Sequence, residues 1–134
     1  HGRTNAILLP YVIRYNGTRP AKTTTWPKYN YWKADEKFQD IARMLGLPCS
    51  TPEEAVDAYA KAVYELGEKV GIQMNLKAQG VDKKELEKYS RELALLAYED
   101  QCSPANPRLP MVDDMQEIIE DAYYGYKERP GRRK

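Results

Sequence analysis

Thr51-Pro52-Glu53-Glu54 opens the stretch that most constrains this fold. A threonine hydroxyl placed there accepts a hydrogen bond from an orphan backbone N–H of a first helical turn. Proline lacks the N–H that would go unused at the first helical position, and a glutamate three residues after the cap reaches back toward it. Ala55, Val56, Tyr59, Ala60, Val63, Leu66 and Val70 then recur with helical period, and Gly71 closes the pattern. A one-sided helix of this length draws its stability from partners that cover its stripe. The rest of the chain must supply them.

The remaining segments read the same way. Gly2 to about Asn16 carries the stripes Ala6, Leu9, Ile13 and Leu8, Val12, Tyr15, with Asn16-Gly17 as a stop. A short apolar strand is the rival reading, and helix is preferred. Pro10 is expected to kink this helix or divide it into two pieces. A second helix spans about Ala34 to Leu45, with Phe38, Ile41, Ala42 and Leu45 on one face and Gly46 and Pro48 behind it. After a turn through Asn75 to Gln79 and Gly80, a long helix starts at Asp82. Glu85 completes a second capping box, the helix ends near Asp100, and Leu86, Tyr89, Leu93, Leu96 and Ala97 form its predicted buried face. The last helix runs from about Val112 to Tyr124, with Met115, Ile118, Ile119 and Ala122 inward and Gly125 as its stop. Strand signals are weak and no long repeat is present. The expected fold is all-α, a bundle of five or six helices.

Composition bounds what such a bundle does. A content of 42% hydrophobic and 31% charged residues in 134 suits one globular domain. A net charge of +1 offers no basic face for nucleic acid, and only the tail Arg129, Arg132, Arg133 and Lys134 is locally basic. The longest apolar stretch, Ala6 to Ile13, is too short to span a membrane and lacks the layout of a signal peptide. Cys49 and Cys102 lie far apart and outside any CxxC pair, which argues against a zinc site or disulfide framework and for reduced thiols in the cytoplasm. The chain opens with His1-Gly2 and no initiator Met, and helical patterning is already under way at Asn5, so it is expected to be cut from something longer.

Three places invite a functional reading. His1 is the sole histidine, and imidazole is a common ligand for a transition metal. A metal needs roughly three or four ligands, so other sequence would have to complete the site. The loop Asp100-Gln101-Cys102-Ser103-Pro104-Ala105-Asn106-Pro107-Arg108 is stiffened by proline, and Asp100, Asn106 and Arg108 are placed to tie it to backbone groups. It reads as a rigid connection or as the wall of a ligand cleft. A nucleophilic Cys102 is rejected, because no base is available. The loop Thr18 to Tyr31, with Trp26, Tyr29, Tyr31 and the adjoining Trp32, either covers its own domain's core or makes a subunit contact. No dinucleotide fingerprint or nucleophile elbow is present.

The stretch His1-Gly2-Arg3-Thr4-Asn5-Ala6-Ile7-Leu8-Leu9-Pro10, with Val12 and Arg14-Tyr15-Asn16, resembles the histidine-glycine helix of the iron-containing alcohol dehydrogenases. Ile41-Ala42-Arg43 with Leu45-Gly46, Gly71-Ile72, Gly80-Val81 and the Asp100 to Arg108 loop resemble further segments of that family in the same order, over essentially the whole chain. Ser103 stands where relatives often carry threonine, and the hydroxyl is retained. The aromatic insert Thr23 to Trp32 and the ending Asp121-Ala122-Tyr123-Tyr124-Gly125 resemble the alcohol dehydrogenase half of bifunctional aldehyde–alcohol dehydrogenases, especially those of Gram-positive fermenting bacteria.

The resemblance implies that residues 1–134 are the C-terminal portion of a helical, iron-binding domain. It implies that His1 is one of four ligands to Fe2+, the others being an aspartate and two histidines upstream. It implies that NAD is held mainly by a missing N-terminal domain, and that Cys102 borders the substrate cleft. The implied reaction interconverts short aldehydes and alcohols, acetaldehyde and ethanol in fermentation. The implied parent is fused to a CoA-acylating aldehyde dehydrogenase, and the fragment alone is inactive. The remainder of the same polypeptide is then the first partner, with a homo-oligomer or filament beyond it. The alternative is a helical subunit-interaction module of a filament-forming enzyme.

Overall fold

A computed structural model describes residues 1–20 and 32–126. The segment with Trp26, Tyr29 and Tyr31 and the basic tail lie outside the described residues. Five α-helices, and no strand among the described residues, bear out the all-α expectation: α1 Gly2–Gly17, α2 Ala34–Met44, α3 Pro52–Lys69, α4 Lys83–Glu99 and α5 Val112–Tyr124, with a single 3-10 turn at Ser103–Ala105. None of these helices is long and apolar enough to cross a membrane.

The capping chemistry sits where the sequence places it. Thr51 Oγ1 accepts from the Glu54 N–H at 3.1 Å, and the Glu54 carboxylate accepts from the Ser50 N–H at 2.7 Å, one residue before the cap. At the other end of α3, the Gly71 N–H donates to the Glu68 carbonyl and the Ile72 N–H to the Gly67 carbonyl, a paired closure that holds Gly71 at φ +86. Asp82 caps α4 by accepting from the Lys84 N–H at 2.7 Å, where a reciprocal bond from Glu85 was expected. Asp114 caps α5, accepting from the Met111 N–H at 2.9 Å.

One expectation about α1 needs correction. Pro10 does not divide it: α1 is one helix from Gly2 to Gly17. Pro10 is buried, so packing holds the turn that lacks one hydrogen bond. The stop expected at Asn16-Gly17 is where α1 ends, with Thr18 as its C-cap.

α1, α3 and α2 pack in succession, and α5 joins α1 to α4. One core cluster unites Ile7 and Tyr11 of α1, Tyr64 of α3, Met74 of the segment between α3 and α4, and Ala122 of α5; a second unites Ile13, Val56 and Ala60. The predicted faces hold on α5 and on the first half of α3. They fail on α4 and at the end of α3. α4 buries Leu86, Ser90 and Ala94 against α5 and leaves Tyr89, Leu93 and Leu96 exposed. α3 buries Tyr64 and Gly67, while Leu66 and Val70 are exposed. On α2, Leu45 is exposed although Ala42 is fully buried. Close approach of helices selects small side chains for the contact, so the largest apolar stripe is not the one these neighbours cover.

Tyr11 shows how polar groups sit in this core. Its hydroxyl is buried without a hydrogen-bond partner among the described residues. Burial, first of all, then Tyr64, Tyr126 and Asp121 push its ionisation well above the ordinary phenol range, against a smaller opposing pull from Arg14. A raised folded-state value means full stability below the unfolded phenol's value of about 10, lost as pH rises beyond it. Tyr11→Phe is therefore expected to raise stability by about 1 kcal/mol near neutral pH, by removing an unpaired buried hydroxyl. It should also flatten the loss above pH ~10. Urea unfolding midpoints at neutral and alkaline pH check both.

Candidate functional site

His1 stands immediately before α1 as its N-cap and is exposed. Its side chain makes no capping bond; instead the Asn5 side-chain nitrogen lies 3.2 Å from His1 Nε2, one helical turn on. One contact joins this end of α1 to the turn before α4, and another joins that turn to α5. Arg3 donates to Gln79 Oε1 at 3.3 Å, and the Leu76 N–H donates to the Ala122 carbonyl at 3.0 Å. The first turn of α1 thus lies beside the turn that leads into α4. The imidazole is exposed at the start of α1. Among the described residues, no group of three or more His, Cys, Asp or Glu side chains is placed to hold a metal ion. The donor set fits one ligand of a site and not a whole one.

The Cys102 loop is fastened to the other end of α1. Asn16 and Asn106 exchange two side-chain hydrogen bonds, Asn16 Nδ2 to Asn106 Oδ1 at 3.2 Å and Asn106 Nδ2 to Asn16 Oδ1 at 2.7 Å. Arg108 donates to the Tyr15 carbonyl at 3.0 Å and stacks over the Tyr15 ring, 4.1 Å from its centroid. The Tyr15 hydroxyl donates to the Leu109 carbonyl at 2.9 Å and shares Asp114 Oδ2 at 3.0 Å. Asn106 and Arg108 do tie the loop down, as the sequence suggested. Their partners, Tyr15 and Asn16, were not foreseen. Amide pairing between residues 90 apart leaves no local signal. Asn5 was also missed, although its spacing of four from His1 on a helix was the available clue.

The Cys102 loop is thus fastened, through Asn106 and Arg108, to the end of α1 opposite His1. At 16 residues and about 1.5 Å per residue, α1 is about 24 Å long.

Cys102 itself is exposed at the end of α4. Asp100 accepts from the Cys102 N–H at 2.8 Å. A hydrogen bond between Asp100 and the thiol, then the negative charge of that carboxylate, and last a small loss of hydration, raise the thiol's ionisation above its ordinary value. A raised value lowers the share of reactive thiolate at a given pH. Asp100→Asn is expected to speed alkylation of Cys102 by iodoacetamide roughly threefold at fixed pH near 8 and to move the rate profile to lower pH. An unchanged profile would show that Asp100 does not control the thiol.

Polar groups also line a cavity of about 170 Å³ between α1 and α5, near Tyr11, Arg14, Arg108 and Asp114. Its cations are already engaged: Arg14 with Asp57 at 2.9 Å and over the Tyr126 ring, Arg108 with α1 carbonyls.

The described residues thus form a helical bundle with one exposed imidazole at the start of α1 and no cluster of metal-binding side chains. The model of the Fe-containing alcohol dehydrogenase family, C-terminal, matches residues 1–123, and this chain belongs to that family. It is 84% identical over all 134 residues to an aldehyde-alcohol dehydrogenase of Streptococcus pneumoniae, of which it covers 15%. It is 52% identical over 124 residues to aldehyde-alcohol dehydrogenase 2 of Entamoeba histolytica, covering 92% of this chain and 14% of that protein. It is 35% identical over 125 residues to the lactaldehyde reductase of Escherichia coli, covering 92% of this chain and 28% of that protein. The chain thus spans only about a seventh of the aldehyde-alcohol dehydrogenases it matches, as 15% and 14% coverage show. These comparisons give no support to the filament-module alternative.

Proposed function

We propose that this chain is the C-terminal helical part of an iron- and NAD-dependent alcohol dehydrogenase acting on short aldehydes and alcohols, within a longer bifunctional aldehyde–alcohol dehydrogenase of the cytoplasm. One observation carries the reading. The single histidine stands exposed at the start of α1, in a chain whose family is iron-containing and whose relatives are far longer. When bound, iron supplies Lewis-acid polarisation of a substrate oxygen, and NAD supplies the hydride acceptor.

This chain's own residues then have limited tasks. His1 contributes one neutral ring nitrogen. Asn5, against the ring, restrains its orientation, as groups around a ligand imidazole commonly do. The buried residues Ile7, Tyr11 and Met74 hold α1 rigid so that its first turn is fixed in space. Cys102 borders the substrate cleft in this reading, on a loop fastened to α1 through Asn106 and Arg108.

Two preparations test the proposal. The 134-residue chain alone is expected to bind Fe2+ weakly or not at all and to oxidise no ethanol. With the upstream sequence restored, ethanol oxidation with NAD should depend on iron and stop on chelation. A stoichiometric, tight iron complex of the short chain, or metal-independent activity of the long one, would overturn the reading.

A further inference from the structure

The strongest apolar stripe of α4 is turned away from α5, the helix it packs on among the described residues. Tyr89, Leu93 and Leu96 follow one another at helical spacing and are 41%, 50% and 59% exposed. The covered face of the same helix carries Leu86, Ser90 and Ala94. At 100° per residue the two stripes lie about a quarter turn apart. Beyond the 3-10 turn that follows it, α4 touches only α5 among the described elements. A helix with small and polar residues on its covered side and leucines on its open side is built to lie between two surfaces. Left open, such a stripe is the kind of contiguous apolar patch that marks an interaction surface.

The position of α1 indicates what covers it. The turn before α4 touches the start of α1 through Arg3 and Gln79. Chain that precedes His1 in a longer protein therefore enters beside the first turn of α4. The relatives supply that chain in quantity, since even the shorter lactaldehyde reductase is covered to only 28%. We propose that the Tyr89–Leu93–Leu96 face of α4 is the seam on which the preceding part of the same polypeptide packs, with an apolar helix face of its own. The proposal rests on the reading of this chain as part of a longer dehydrogenase.

Thiol accessibility tests it. Single cysteines are placed at Leu96→Cys and, on the opposite side of α4, Lys84→Cys, in a background with Cys49→Ser and Cys102→Ser. Maleimide labelling of the native state is timed in the longer protein and in the 134-residue chain. In the longer protein the Leu96→Cys thiol is expected to react about 100-fold more slowly than the Lys84→Cys thiol, because it reacts only on local opening. In the short chain the two rates should agree within about threefold. If the short chain does not fold alone, the comparison inside the longer protein decides by itself. Equal rates in the longer protein would overturn the proposal. Protection in the short chain that grows with concentration, with a dimer in sedimentation, would overturn it too and assign the face to a second copy. The labelling reads no metal, so a protected Leu96 in a protein that binds no iron sinks the iron reading and leaves the seam standing.

Discussion

Replacing His1 by alanine in the longer enzyme is expected to lower kcat/KM for ethanol oxidation by at least about 1,000-fold, some 4 kcal/mol of transition-state stabilisation. The effect is large because the residue acts through a metal. Losing one of roughly four ligands both weakens retention of the ion and opens its coordination. Two further readouts separate this from a folding defect. Iron content measured after dialysis should fall with activity. The helical circular dichroism signal should persist, since the His1 side chain is exposed and makes no capping bond to α1. Asn5→Ala grades the argument. It removes only the group 3.2 Å from the ring, so a loss of about 10- to 100-fold in iron affinity is expected, with less effect on kcat than His1→Ala. Full activity and full iron content in the His1→Ala enzyme would remove His1 from the metal centre.

Much of this architecture is legible in the sequence because it is set by neighbours along the chain. Thr51, Pro52 and Glu54 act within four residues of one another, and Gly46, Gly71 and Gly125 mark helix ends with positive φ that no other residue adopts cheaply. α5 begins and ends where the pattern places it. What periodicity does not reveal is which of two apolar stripes meets which partner. On α4 it selected Leu93 and Leu96, and the fold chose Ser90 and Ala94. That choice depends on α5, whose approach distance is not written in α4. The candidate site divides in the same way. The position of His1 at a helix mouth follows from its next few residues. The fastening of the Cys102 loop to the far end of α1 does not, because it depends on the Asn16–Asn106 pair, a contact made across 90 residues.

Gly17 provides the sharpest test of the packing. Asn16-Gly17 reads as a helix stop, and α1 ends at Gly17, yet the φ of Gly17 is not positive. Backbone freedom is therefore not what requires a glycine. Space is: a Cβ added there would meet the two Val56 methyl carbons at 2.5 and 2.7 Å and Phe38 Cδ2 at 3.2 Å. Two effects then compete in Gly17→Ala. Alanine gains about 1 kcal/mol of helix propensity over glycine. Against this, a methyl group is driven into a branched side chain that has no free rotamer to retreat to, since Val56 is buried with Ile13 and Ala60. Overpacking costs typically ~1–3 kcal/mol, and more where contacts fall below 3 Å with rigid partners, so α1 must move away from α3. The net expectation is a loss of about 2 kcal/mol in urea unfolding. The double variant Gly17→Ala, Val56→Ala distinguishes the cause. Removing the methyl groups that clash should recover part of the loss, so the pair should be less destabilised than the sum of the single variants. Strict additivity, or a stabilising Gly17→Ala, would mean that α1 and α3 do not approach as closely as this structure has them.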